Sequence, residues 1–371
     1  SRTFGLQLPN DVYVRIHSER FYSKTHPDSA LLHYRIKVEK GEVDFTLDSG
    51  LEADVRNQDT NYGEAFWENF KSEITGNSGI VTAQTKKTGF RIAASTAHKV
   101  MVNGWAINGG LDTPSRSSIN ANFSTFLSQD DEVIIEKYVS ITTSFFYPHD
   151  DLTIKSLENL DEITQLGYDE LRDKQVEAWR KSWDQNDIVI EGDDEAQQGI
   201  RFNIFQLNQT YTGEHALLNI GPKGFTGEKY GGSTYWDTEA YCLPYYLSTA
   251  GKQVGNQLLQ YRYNHLTKAI ENAGKLGFKD GAALYPMVTM NGEECHNEWE
   301  ITFEEIHRNG AIAYAIYHYT EYTGDKDYVL NYGIEVLIGI ARFWKQRVNW
   351  SDARNKYVML GVTGPNEYEN N

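Results

Sequence analysis

The hydrophobic period of this chain changes once, from two residues to about 3.6, and that change demands two differently built halves. Up to about Tyr147 the spacing is two. Leu32, Tyr34, Ile36 and Val38 alternate with His33, Arg35 and Lys37, and after Gly41-Glu42 the residues Val43, Phe45 and Leu47 alternate again. Phe90-Arg91-Ile92 and the run from Val133 to Ile141 repeat the pattern, while Asp48-Ser49-Gly50, Gly76-Asn77 and Asn103-Gly104 supply turns between runs. Many short strands at such spacing predict an antiparallel β-sandwich over residues 1–149. No catalytic constellation stands out there, and its acidic and histidine residues read as solvated strand faces.

Between Asp150 and Asp187 the period lengthens. Tyr168, Leu171, Gln175, Ala178 and Trp179 share one helical face with Glu and Lys opposite, and the short extended run Ile188-Val-Ile190 follows. Residues 150–190 therefore read as a helical linker. From Asp193 onward the helical stripes recur: Ile200, Ile204, Leu207 and Tyr211; Leu259, Tyr263, Leu266, Ile270 and Ala273; Ile312, Ile316 and Tyr319; then Leu330, Gly333, Leu337, Ile340 and Trp344, opened by Thr323-Gly-Asp325. Long polar, aromatic loops separate them. Paired helices whose loops gather at one end predict an α/α toroid. About five or six helices fit before Asn371 where a closed (α/α)6 barrel has about twelve, so residues 191–371 are expected to form its first half. A chain of 371 residues also exceeds one ordinary core. It opens on Ser1 and stops inside a motif at Asn371, so a fragment of a longer protein is expected.

Composition narrows the partners. The net charge is −17 with no basic stripe, which argues against nucleic acid. No run approaches the roughly 18 apolar residues of a membrane span. Two cysteines, Cys242 and Cys295, make no disulfide framework and favour a reducing compartment. The 24 Tyr, 16 Phe and 8 Trp suit a carbohydrate cleft, although aromatic cores would explain them almost as well.

Three loops of the helical half carry the chemistry. The first, Gly224 to Tyr246, reads GFTGEKYGGSTYWDTEAYCLPYY. Its glycines let backbone pass close to a ligand, and Trp236-Asp237 sets a flat apolar ring beside two carboxylate acceptors, as a sugar requires. A buried Trp with Asp237 as helix N-cap is the equal alternative. The second, Gly281 to Arg308, holds Glu293, Glu294, Glu298, Glu300, Glu304 and Glu305 with His296, His307 and Trp299. It lacks metal-ligand spacing, so a substrate loop is expected and no metal. In the third, Gly364-Pro365 turns the chain so that Asn366 and Glu367 stand at a loop tip after the strand-like run Tyr357 to Val362. A carboxyl held between aromatic and amide neighbours suits a general acid of raised pKa; spacing alone favours an exposed turn carboxylate.

Taken together, Gly227-Glu-Lys-Tyr-Gly-Gly-Ser-Thr-Tyr-Trp-Asp-Thr-Glu239, Tyr285-Pro286 with Gly292-Glu293-Glu294, and Gly364-Pro-Asn-Glu-Tyr368 resemble glycoside hydrolase family 65, the inverting disaccharide phosphorylases. The resemblance covers most of the chain and implies the sandwich, the linker and the first part of the barrel in that order. It implies Glu367 as the general acid, Trp236 and Asp237 as ligands of the non-reducing glucose, and Asn366 as a further substrate-binding residue. His296, Glu298 and Trp299 would border the second glucose. The loop His296 to Glu304 falls where members differ by substrate and resembles the maltose-cleaving ones, with kojibiose, nigerose and trehalose as alternatives. The resemblance implies no cofactor, inorganic phosphate as a substrate, phosphate ligands beyond Asn371, and a cytoplasmic homodimer. The fragment by itself is expected to be inactive. An inverting hydrolase on the same fold and a non-catalytic sugar-binding protein are the competing expectations.

Overall fold

The structure is a computed structural model, and it describes residues 1–56, 63–221, 224, 232–295 and 300–367. It divides into two compact units, Ser1–Trp183 and Asp184–Asn371.

In the first unit the alternating runs become strands: β1 (Arg2–Leu8), β2 (Val12–Tyr22), β3 (Ser29–Lys40), β4 (Val43–Glu52), β5 (Trp67–Thr75), β6 (Ser78–Thr85), β7 (Arg91–Val102), β8 (Trp105–Ala106), β9 (Gly109–Leu111), β10 (Ser118–Leu127) and β11 (Glu132–Thr143). The larger sheet runs β1-β2-β3-β11-β7-β6-β5 with β8 hydrogen-bonded to the end of β7, and a second sheet runs β4-β10-β9. All named pairs are antiparallel. Val38, Val133 and Ile135 of the large sheet meet Ala121, Phe123 and Leu127 of the small one, with Phe45 and Leu47 beside them.

Because side chains alternate across a strand, residues an odd number of positions away face the opposite side. Leu31 of β3 and Tyr138 of β11 do so, and pack with Leu160 and Ile163 of α1 (Leu152–Leu166) and with Tyr168 and Leu171 of α2 (Tyr168–Asn186). Sheet hydroxyls fix the helix: Ser95 Oγ lies 2.8 Å from Ser156 Oγ, and Thr142 Oγ1 donates to Leu152 O at 2.8 Å. Both α1 and α2 come from residues 150–190.

The second unit is helical: α3 (Asp194–Thr210), α4 (Leu243–Thr249), α5 (Lys252–Asn264), α6 (Leu266–Lys275), α7 (Ile301–Glu304), α8 (His307–Thr323), α9 (Lys326–Tyr328) and α10 (Ile334–Arg347). A small hairpin follows, β12 (Asn349–Ser351) with β13 (Lys356–Val358). Leu243, Leu259, Tyr285, Ile312, Ile316, Val336 and Ile340 share one core. The stripe from Leu259 to Ala273 is two helices, since His265 adopts φ −100° and ψ 9° between α5 and α6. Both helices bury the same side, so the period runs on through the break. Gly324 ends α8 at φ 70°, where a side chain would be strained, and Asp325 accepts from Tyr328 N to start α9. Among the described residues no helix is long and apolar enough to cross a membrane.

His98 sits between the two sheets, 2.9 Å from Ser49 Oγ, and pairs across the strands with Lys137, whose Nζ donates to Gly50 O at 2.6 Å. Burial, with Lys137 adding to it, pushes the His98 imidazole down to about 4. The folded value lies below the ordinary one of 6.5, so the neutral ring's contribution is complete above 6.5 and is lost as pH falls towards about 4. Stability is expected to fall by about 1.4 kcal/mol per pH unit across that window from this group. His98→Gln should flatten this part of a pH-dependent denaturation profile; an unchanged slope would refute the assignment.

Candidate active site

The strand-like entry to the first loop is pinned at Thr234, which exchanges two backbone hydrogen bonds with Thr289 at 2.7 and 3.1 Å. Tyr235 then packs on Met287, Val288 and Ile301. Helical geometry begins at Asp237 (φ −55°, ψ −34°), and Thr238–Cys242 winds as a π-helical turn that runs into α4. Such turns insert an extra residue and re-aim side chains. Here Glu239 points inward, where its carboxylate meets the Arg262 guanidinium at 2.7 and 3.0 Å, both groups buried. Arg262 also donates to Tyr235 O at 3.2 Å.

The helix-cap alternative for this stretch is not what forms. The Asp237 side chain makes no capping hydrogen bond, because its backbone is already helical where a cap residue is extended. The Thr234 hydroxyl is turned to Tyr261 OH, 3.4 Å away. The Asp237 carboxyl is held above the ordinary carboxylate range, first by burial, with the charge of Glu305 adding to it against its own backbone N–H.

Trp236 is the meeting point of the loops. Its indole Nε1 donates to Glu305 Oε1 at 2.9 Å, 69 residues further on. Its ring stands edge-on to His307, with centroids 4.8 Å apart at 88°. His307, the first residue of α8, holds Nδ1 3.3 Å from Thr363 O, while its Nε2 lies 3.2 Å from Glu305 Oε1 outside hydrogen-bonding geometry. Thr363 is buried, and its N and Oγ1 donate to Glu304 O and Glu304 Oε2 at 3.1 and 3.2 Å. The half-buried Trp236-Asp237 pair is thus joined through the His307 side chain to the loop that begins at Thr363 and carries Asn366 and Glu367, both exposed at its tip. His296, Glu298 and Trp299 lie outside the described residues.

Several residues that matter here carry no motif. Arg308, buried, donates to three carbonyls: Tyr285 O at 2.5 Å, Glu305 O at 2.7 Å and Thr302 O at 2.8 Å. Burial pushes its guanidinium down to about 10, with Glu294 and Glu305 pulling it back up, so it stays cationic at neutral pH. The acidic density of the second loop is mostly structural. Glu294 accepts from Met287 N and Val288 N at 2.7 and 3.2 Å, and Glu293 pairs with Lys268. Among the described residues no group of His, Cys, Asp and Glu is placed to hold a metal ion. The dense run Glu304-Glu305-Ile306-His307-Arg308 was the available signal, since four charged or titratable residues around one isoleucine start a helix whose next turns are apolar. Arg262 left none.

Residues 1–182 match the N-terminal domain of glycosyl hydrolase family 65, and residues 201–371 match that family's central catalytic domain. The chain belongs to glycosyl hydrolase family 65. Maltose phosphorylase of Bacillus subtilis (strain 168) is 47% identical over 97% of this chain and 47% of its own length. An alpha,alpha-trehalose phosphorylase of Thermoanaerobacter brockii is 31% identical over 80% of this chain and 38% of its own, and a kojibiose phosphorylase of Halothermothrix orenii is 29% identical over 91% and 46%. The chain therefore spans about half the length of these curated relatives, or less. A solved structure from the human microbiome that carries the name of a kojibiose phosphorylase superposes with a TM-score of 0.88 at 28% identity, over 99% of this chain and 47% of that one. The family-65 fold, a β-sandwich followed by the first part of an (α/α)6 barrel, is the fold of this chain.

Removing one partner of a buried ion pair strands the other, whereas replacing both by apolar groups is often tolerated. Glu239→Ala is expected to cost about 3–5 kcal/mol of stability, and Glu239→Leu with Arg262→Met to recover most of it. Denaturation midpoints of the full-length variants check this; equal losses in the single and double variants would overturn it.

Proposed function

We infer that the protein is an inverting disaccharide phosphorylase whose substrates are maltose and inorganic phosphate and whose products are β-glucose 1-phosphate and glucose. The observation that supports it is the set of contacts Trp236–Glu305 and Trp236–His307–Thr363, in which an aromatic ring and a carboxylate adjoin the loop that carries Glu367. The identity of 47% to a maltose phosphorylase over nearly the whole chain supports maltose over other glucosides.

Each role follows from chemistry. Trp236 stacks on the apolar face of the non-reducing glucose, and Asp237 accepts its hydroxyls with Asn366 alongside. Glu367, exposed at the loop tip, reaches the glycosidic oxygen and protonates it as the bond breaks. His296, Glu298 and Trp299 border the second glucose and choose the linkage. An inverting hydrolase needs a second carboxylate to activate water. Phosphate is already an anionic nucleophile, so it attacks the anomeric carbon from the opposite face without a protein base. The working enzyme is a cytoplasmic homodimer that needs no cofactor.

Full-length enzyme given maltose is expected to release glucose only when phosphate is present, forming glucose 1-phosphate in equal amount, and to prefer maltose over kojibiose, nigerose and trehalose. Glucose release unchanged by omitting phosphate would instead establish a hydrolase. Glu367→Gln should lower turnover by about 10²–10⁴-fold. A variant close to wild type would remove Glu367 from the mechanism.

A further inference from the structure

Glu305 is a costly residue for a fold to keep where it is. The residue is 1% exposed, yet Oε1 alone is hydrogen-bonded, by Trp236, with His307 Nε2 3.2 Å away, and Oε2 is buried with no hydrogen-bond partner among the described residues. Its charge opposes that of the neighbouring Asp237 carboxyl. A buried carboxylate half satisfied and beside a second acid destabilises the folded state, and such groups call for an explanation beyond packing. His307 repeats the anomaly, since its buried Nε2 also lacks a hydrogen-bond partner among the described residues.

Both residues touch Trp236, and His307 reaches Thr363 as well. Glu305 binds the indole N–H of Trp236, and the His307 ring stands against the Trp236 ring on one side and reaches Thr363 O on the other. Thr363 lies four residues before Glu367, with the φ of Pro365 fixed between them. An indole could pack anywhere in an apolar site; a charge-assisted bond to Nε1 selects one ring orientation. Arg308 holds the backbone carbonyl of Glu305 at 2.7 Å, which anchors the main chain from which that side chain reaches Trp236.

We propose that Glu305 and His307 form a positioning pair that sets the plane of the Trp236 sugar platform and the height of the Glu367 loop as one unit. This rests on the disaccharide phosphorylase reading of the site. Glu305 and His307 do not touch the reacting atoms. They act through Trp236 and Thr363, and errors of about 1 Å in such geometry cost up to about 10²-fold in rate.

The test is a double-variant cycle in full-length enzyme, with kcat and KM for maltose at saturating phosphate. Glu305→Gln keeps the shape but weakens the acceptor, and Trp236→Phe removes the donor. Each is expected to lower kcat/KM by about 10–100-fold, with the double variant no worse than the weaker single one. His307→Ala leaves the Trp236–Glu305 bond intact and is expected to lower kcat about tenfold while KM for maltose stays within about threefold. Single losses that multiply in the double variant would mean Glu305 acts independently of Trp236 and would overturn the proposal. Loss of folded protein in Glu305→Gln together with wild-type kcat in His307→Ala overturns it as well. Failure of the parent reading looks different, because wild-type enzyme would then cleave maltose without phosphate whatever these variants do.

Discussion

Two guanidinium groups shut away from water hold the functional end of the helical unit together. Its loops are irregular backbone brought indoors, and every buried carbonyl there needs a donor. Arg308 supplies three at once, to Tyr285, Thr302 and Glu305, and Arg262 binds Tyr235 O besides its ion pair with Glu239. Tyr285 returns a bond from its hydroxyl to Arg262 O at 3.0 Å, and Asn309 takes Tyr285 N and gives to Ala283 O at 3.1 and 2.9 Å. Arginine suits this task because its planar fork offers several fixed donors and does not lose its proton. A lysine would present one mobile point charge.

That scaffold explains how acidic residues can crowd one place. Glu305 lies close enough to disfavour the charge on Asp237, while the buried cation of Arg308 is in turn favoured by Glu294 and Glu305. Glu294 spends its carboxylate on two backbone N–H groups, so it orders the loop rather than facing a ligand. The platform is then a half-buried ring and acid on a braced floor, while Glu367 stands at an exposed tip. Trp236-Asp237 and Glu367 lie on different loops, linked by His307 and Thr363.

Much of the fold was legible because burial imposes its period directly. Alternation in Leu32 to Val38 and in Val133 to Ile141 marked β3 and β11, and the Ile312-Ile316-Tyr319 stripe marked α8. The failures share one cause. A break at His265 and the π-helical turn at Thr238–Cys242 leave the apolar side unchanged, so no periodicity registers them. The Asp237 cap reading failed because composition cannot say on which residue helical geometry begins. At the site, aromatic and carboxylate loops were visible as motifs, whereas Arg262 and Thr363 are ordinary letters in ordinary company.

The sequence by itself determined the two-part architecture, its family and the loops that carry Trp236-Asp237 and Glu367. Side-chain periodicity and long loop motifs are local properties, readable in order along the chain. Only the tertiary structure decided that Trp236 answers to Glu305, that Glu305 keeps an oxygen without a hydrogen-bond partner among the described residues, and that His307 reaches Thr363 at the start of the Glu367 loop. Those contacts join positions 69 and 56 residues apart, and no local pattern encodes which buried donor will find which acceptor once the helices pack.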